Sequence, residues 1–90
     1  MPREHHILGR RLMTLHPYAS TDYIVPYYIG GPMDGGFGAI EPRSDTLGTI
    51  RRAGGSYSLQ GFCLSSEEVE DSMLATVTPD RAVYLWEVAR

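Results

Sequence analysis

Two arginine pairs, Arg10-Arg11 and Arg51-Arg52, are the residues here best suited to recognition chemistry. A guanidinium binds phosphate bidentately and stacks on purine or aromatic faces. Six tyrosines, two phenylalanines and Trp86 offer stacking surfaces. Each group also has a plainer use: arginines solvate strand ends, and most aromatics fill a core, although so small a protein leaves some tyrosines exposed. A second candidate is residues 30–36, Gly-Gly-Pro-Met-Asp-Gly-Gly, entered by Tyr27-Tyr28 and left by Phe37-Gly38. Its glycines permit positive φ and Pro32 fixes a turn-initiating φ. Asp34 before Gly35 is a strong hairpin dipeptide. Backbone N–H groups in such a loop can cradle an anion. The Gly-Lys-Ser/Thr ending of a phosphate-binding loop is missing, however, and no helix signal follows. A tight hairpin that sets register, with Asp34 closing an Asx turn, explains the stretch at least as well.

Acid–base and metal chemistry have thinner support. His5, His6 and His16 are the only histidines. Adjacent side chains on a strand point to opposite faces, so His5 and His6 make a poor chelating pair. A metal site would need His16 and a carboxylate folded nearby. General acid–base use has no partner visible in the sequence, and a solvated tail accounts for the pair more simply. Cys63, the only cysteine, excludes an intrachain disulfide and a cysteine-rich zinc site. Between Phe62 and Leu64 it reads as a small core residue.

The whole chain sets the bounds. Ninety residues make one domain with a thin core, residues 1–9 forming a polar lead that can be flexible. A hydrophobic content of 42% is ordinary for a folded domain. The formal net charge of -3 argues against extended nucleic acid as a partner. Every basic residue is arginine, and lysine and asparagine are absent. GC-rich coding explains that most simply. No stretch has the length of a transmembrane helix, and the N-terminal residues lack a signal-peptide pattern. The expectation is a cytoplasmic protein with no cofactor.

Several elements must position these groups. Residues 12–15 read as a short strand or a helical turn, stopped at His16-Pro17. Residues 23–29 are aromatic and β-branched throughout, and Pro26 marks the strand as an edge or a bulge. Such an edge invites pairing with a second copy. Residues 37–41 form a return strand, and residues 46–52 a further strand leading to a hairpin at Ala53-Gly54-Gly55. Residues 56–64 follow, with Tyr57, Leu59 and Cys63 on one face and Gly61 marking a bulge or a close backbone approach. Ser65-x-x-Glu68 is a capping box, and Val69, Met73, Leu74 and Val77 recur at helical spacing up to Pro79. Pro79-Asp80 reads as a turn. Residues 82–88 close the chain as a strand apolar on both faces. The expected fold is α+β: an antiparallel sheet of about five strands with one helix packed on it.

The run Tyr27-Tyr28-Ile29-Gly30-Gly31-Pro32-Met33-Asp34-Gly35-Gly36 resembles the opening of many small uncharacterised proteins of actinobacterial phages and prophages. Those proteins follow an aromatic strand with a Gly-Gly-Pro-x-Asp-Gly turn and close with Tyr-x-Leu and Tyr-x-Trp strands. Tyr57-Ser58-Leu59 and Tyr84-Leu85-Trp86 occupy those places here. The long N-terminal lead and the acidic segment between the last two strands depart from the pattern. The resemblance implies a phage setting and carries no common activity. Three function classes follow. The first is an anti-defence protein that sequesters a nucleotide-derived immune signal, a cyclic nucleotide or cyclic ADP-ribose type, in pockets of a homo-oligomer. Its ligand-binding residues would be Tyr27, Tyr28, Gly30, Gly31, Asp34, Gly35, Gly36, Arg51, Arg52 and Trp86. The second is a phage accessory that binds a host or virion protein through an edge strand. The third is a small phosphodiesterase using His5, His6 or His16.

Overall fold

The structure is a computed structural model, and it describes residues 4–8, 11–65 and 79–89. Among the described residues seven strands make two sheets. A hairpin of β1 (Glu4–Leu8) and β2 (Arg11–Leu15) forms a sheet of its own that packs on the main one through Leu15, in a register that runs from Glu4 opposite Leu15 to Leu8 opposite Arg11. Part of the expected flexible lead is therefore strand, and residues 12–15 are strand rather than a helical turn. The main sheet has five strands in the order β4-β3-β7-β6-β5. These are β3 (Tyr23–Ile29), β4 (Glu41–Pro42), β5 (Thr49–Arg52), β6 (Gly55–Cys63) and β7 (Asp80–Val88).

The sheet is mixed, which corrects the antiparallel expectation: β3 runs parallel to β7, from Ile24 opposite Asp80 to Ile29 opposite Leu85. Alternation of apolar residues shows which strands are central, and it carries no information about direction. As expected of a strand apolar on both faces, β7 is central, with β3 on one flank and β6 on the other.

The expected edge at β3 is also corrected. Its outer flank is covered by β4 at Tyr23 and Ile24 and by a bridge from Tyr27 to Phe37. The Pro26 carbonyl accepts the Gly38 N–H at 2.9 Å. A residue's N–H and C=O lie on the same side of a strand, so the donor that Pro26 lacks falls on this loosely paired flank. The ladder to β7 stays intact, and proline is tolerated inside the sheet. The expected return strand over residues 37–41 shrinks to that bridge plus the two residues of β4. Among the described residues the terminal strands are the two-residue β4 and, at the other end, β5, the longer open edge.

Two apolar clusters sandwich the sheet. On one face lie Ile24, Tyr28, Tyr57, Phe62, Ala82 and Tyr84. On the other lie Leu15, Ile29, Cys63 and Val83. The register slips between Leu59 and Gly61, so Phe62 joins the face of Tyr57 and Cys63 moves to the opposite one. That corrects the expected Tyr57/Leu59/Cys63 face. The bulge and the close approach weighed for Gly61 are both real, since a side chain there would press on His16 and Leu15. The capping box and apolar stripe expected for one helix fall mostly on residues 66–78, outside the described residues. The described residues hold two 3-10 turns, Gly31–Met33 and Arg43–Asp45, and no complete α-helix. No helix among them is long and apolar enough to cross a membrane.

Candidate functional site

Trp86 lies between the two groups of site residues that the sequence singled out. Its ring meets Tyr57 at a centroid distance of 4.9 Å. Gly31, at φ 67°, lies directly against the indole, where an added Cβ would collide with Cγ and Cδ2. Glycine is required there twice over, by backbone conformation and by the approach of the ring. At the far edge of the ring, a Cβ on Gly55 would meet Cζ2 at 2.6 Å and Cη2 at 2.9 Å. One aromatic side chain thus joins the glycine loop to the β5–β6 turn.

The loop is held by its own donors. The Asp34 carboxylate accepts the Gly30 N–H at 2.7 Å, the closing role weighed for it. The Tyr57 hydroxyl accepts the Met33 N–H and donates to the Gly30 carbonyl, both at 2.8 Å. Gly35 N–H reaches the Tyr28 carbonyl at 2.8 Å and Gly36 N–H the Met33 carbonyl at 2.9 Å. Asp34 N–H reaches the Gly31 carbonyl at 3.3 Å. An anion nest needs N–H groups that converge on empty space. Here five of them are engaged within the protein and Pro32 has none, so the loop serves chiefly as a rigid wall for Trp86.

Positive charge lies one step further along the sheet, on neighbouring residues whose side chains leave opposite faces of β5. Arg52, Gly55 and Val88 form one row across β5, β6 and β7, and Arg51, Ser56 and Glu87 the next. Because Gly55 has no side chain, a notch separates Arg52 from Val88, with the edge of Trp86 leaning into it. The result is an open cleft of about 380 Å³ lined by both arginines, Thr49, Gly54, Ser56 and Glu87 among others. Arg51 and Arg52 are exposed, and among the described residues neither forms an ion pair; Arg43 forms one with Asp22 at 3.9 Å. The Arg52 guanidinium donates to the Arg51 carbonyl at 2.8 Å. The arginines suit a small anion, and Trp86 is half-buried against Gly55 beside the cleft.

Other expected site residues lie away from this cleft. Tyr28 is buried, its ring 4.9 Å from that of Tyr57 and 5.8 Å from that of Tyr84. Burial raises its pKa above the ordinary 10.0, Arg52 opposing and Glu41 and Tyr57 adding. Tyr27 belongs to the opposite face and meets Phe37 in a tilted contact at 4.9 Å, with Arg81 over Phe37 at 5.1 Å. The backbones of His5 and His6 lie in β1, opposite Thr14 and Met13. His16 exchanges backbone hydrogen bonds with Phe62 at 2.9 Å. No three His, Cys, Asp or Glu side chains gather into a metal-binding group among the described residues.

Sequence reasoning missed the most connected polar group. Asp80, read as a turn residue, opens β7 with no exposed surface. One carboxylate oxygen accepts from the backbone and hydroxyl of Ser20 and from Thr21 N–H; the other accepts from the backbone and hydroxyl of Ser65. Its own N–H donates to Thr21 Oγ1 at 2.9 Å. Burial pushes the pKa up, but the hydrogen bonds from Ser65, Ser20 and Thr21 outweigh it and hold the group below the ordinary 3.8. The only signal in the sequence was the pair of serine-bearing loops at residues 20–21 and 65, too far from Asp80 along the chain to connect by pattern. Glu87 and the Gly55 notch were missed as well, because they depend on cross-strand register. No family model matches the chain, and no curated protein or solved structure matches it either.

Proposed function

We propose that this chain is a small binding protein that sequesters a nucleotide-derived anion, with its phosphate at Arg51 and Arg52 and its base beside the half-buried Trp86. The observation that carries the reading is the cleft at the Gly54-Gly55 turn, lined by two exposed arginines without ion-pair partners among the described residues, with Trp86 packed on Gly55 beside it. The reading is one of binding by charge and stacking, and the ligand is expected to leave unchanged. The phage resemblance at residues 27–36 supports the wider setting: a cytoplasmic anti-defence protein that holds a cyclic nucleotide or cyclic ADP-ribose type of signal as a homo-oligomer.

The test is calorimetry with a panel of cyclic dinucleotides and cyclic ADP-ribose isomers, on wild type, Arg51→Ala and Arg52→Ala. Surface arginines seldom carry a fold, so both variants should melt like wild type. Loss of a charge-assisted phosphate contact weakens binding by roughly 1.5–3 kcal/mol, about ten- to a hundred-fold. Ligand released by heat denaturation should be chemically intact; a hydrolysed product would point instead to the phosphodiesterase reading and its histidines. If nothing in the panel binds, sequestration fails, and docking of a host or virion protein on a sheet edge becomes the favoured function.

A further inference from the structure

We infer that the free edge of β5 pairs antiparallel with β5 of a second copy, and that this pairing sets two Arg51 side chains together to hold one anion bearing two phosphoryl groups. The inference rests on the anion reading above and adds the second copy to the site.

The ladder fixes which groups the edge presents. Leu59 N–H donates to the Gly48 carbonyl at 2.9 Å, and the register continues with Ile50 opposite Tyr57 and Arg52 opposite Gly55. Hydrogen-bonded pairs alternate in an antiparallel ladder, so Gly48, Ile50 and Arg52 bond inward. The peptide groups of Thr49 and Arg51 point outward, and the Arg52 guanidinium covers one of them, the Arg51 carbonyl. One antiparallel register lets two copies satisfy these groups mutually: Thr49 of each faces Arg51 of the other, about Ile50. It sets Arg52 opposite Gly48, where there is no side chain to obstruct, and exposed Leu47 opposite exposed Ala53. The alternative that sets Arg51 directly against Arg51 is disfavoured by like charge.

In the favoured register the two Arg51 residues are diagonal neighbours on one face, about 7–8 Å apart. Their repulsion opposes association, as arginines on a sheet edge generally do. An anion with two phosphoryl groups removes that repulsion and competes for the Arg52 guanidinium, which uncovers the edge. Dimerisation is therefore linked to the anion.

The experiment uses inorganic pyrophosphate as the probe, with sodium chloride matched for ionic strength. Calorimetry and sedimentation velocity are run on wild type, Thr49→Pro and Arg51→Ala. The Thr49 N–H points outward, so proline there blocks edge pairing and leaves the β5–β6 bonds in place. Expected is a wild-type monomer in chloride and a dimer with pyrophosphate. Thr49→Pro should stay monomeric while still binding, and Arg51→Ala should stay monomeric and bind at least tenfold more weakly. Binding heat without a change in wild-type mass overturns this inference and leaves the anion site standing. A Thr49→Pro protein that dimerises like wild type, or a wild-type dimer already complete in chloride, also overturns it. No binding heat at all removes the anion site at these arginines, and the inference with it.

Discussion

At the scale of single residues, the polar groups with the most at stake are buried ones with assigned partners. Asp80 ties the loop at Ser20-Thr21 and the residue at Ser65 to the start of β7. In Asp80→Asn one accepting oxygen becomes a donor facing donors, at a cost of roughly 2–4 kcal/mol in a urea melt. The sign of its pH dependence follows from a folded pKa below 3.8. The carboxylate contributes stability above that value, and loses it as pH falls through the lower folded pKa. The gap between wild type and Asp80→Asn should therefore be full at neutral pH and close in strong acid. Tyr84 runs the other way. Burial first, then the charge of Glu41 and the neighbouring Tyr28, push its pKa up to about 12. Stability linked to the neutral phenol is present below 10 and is lost as pH rises toward 12. Tyrosinate absorbance compared between wild type and Tyr84→Phe should show the missing signal only where alkaline unfolding begins. A Tyr84 signal that rises while the fold is intact would contradict that placement.

At the scale of elements, the sequence was most informative where one residue type serves one backbone need. Strands β3, β6 and β7 were legible from β-branched and aromatic runs, and the turns at residues 30–36 and 53–55 from glycine and proline. Edge and direction were not legible. Pro26 suggested an edge, yet its missing donor faces the flank closed by Gly38, a fact fixed only by the ladder. Alternation likewise gave the two faces of β7 without its parallel pairing to β3. Of the candidate site, Arg51, Arg52 and Trp86 had been singled out for charge and stacking chemistry. The notch at Gly55 was not, because it arises from three strands in register. The loop residues Gly30, Gly31 and Asp34, expected as ligand-binding with a rigid turn as the competing reading, form a hydrogen-bonded turn. Gly31→Ala joins an unfavourable φ to a collision with Trp86, so a loss of roughly 2 kcal/mol or more is expected in thermal melts. A variant as stable as wild type would mean that Trp86 does not rest on the loop. Among the described strands, Thr49 and Arg51 of β5 should exchange their outward amides fastest, as befits the free edge.

At the scale of the whole molecule, a small chain gains rigidity by layering apolar clusters on both faces of one mixed sheet, with a buried carboxylate joining distant loops. That scaffold holds the glycine loop, Trp86 and the β5–β6 turn in a fixed row, so a ligand would meet a preformed surface. In the function proposed above, recognition is seated at the arginine-lined turn and the glycine loop braces it. The most direct measurement is a nuclear magnetic resonance titration of backbone amides with a bound cyclic dinucleotide, or with pyrophosphate if none binds. The account expects the largest shifts at Arg52, Gly54, Gly55, Ser56 and the Trp86 indole N–H, with the amides of Gly30, Met33, Gly35 and Gly36 changing little. Shifts centred on residues 30–36, with the β5–β6 turn unmoved, would contradict it.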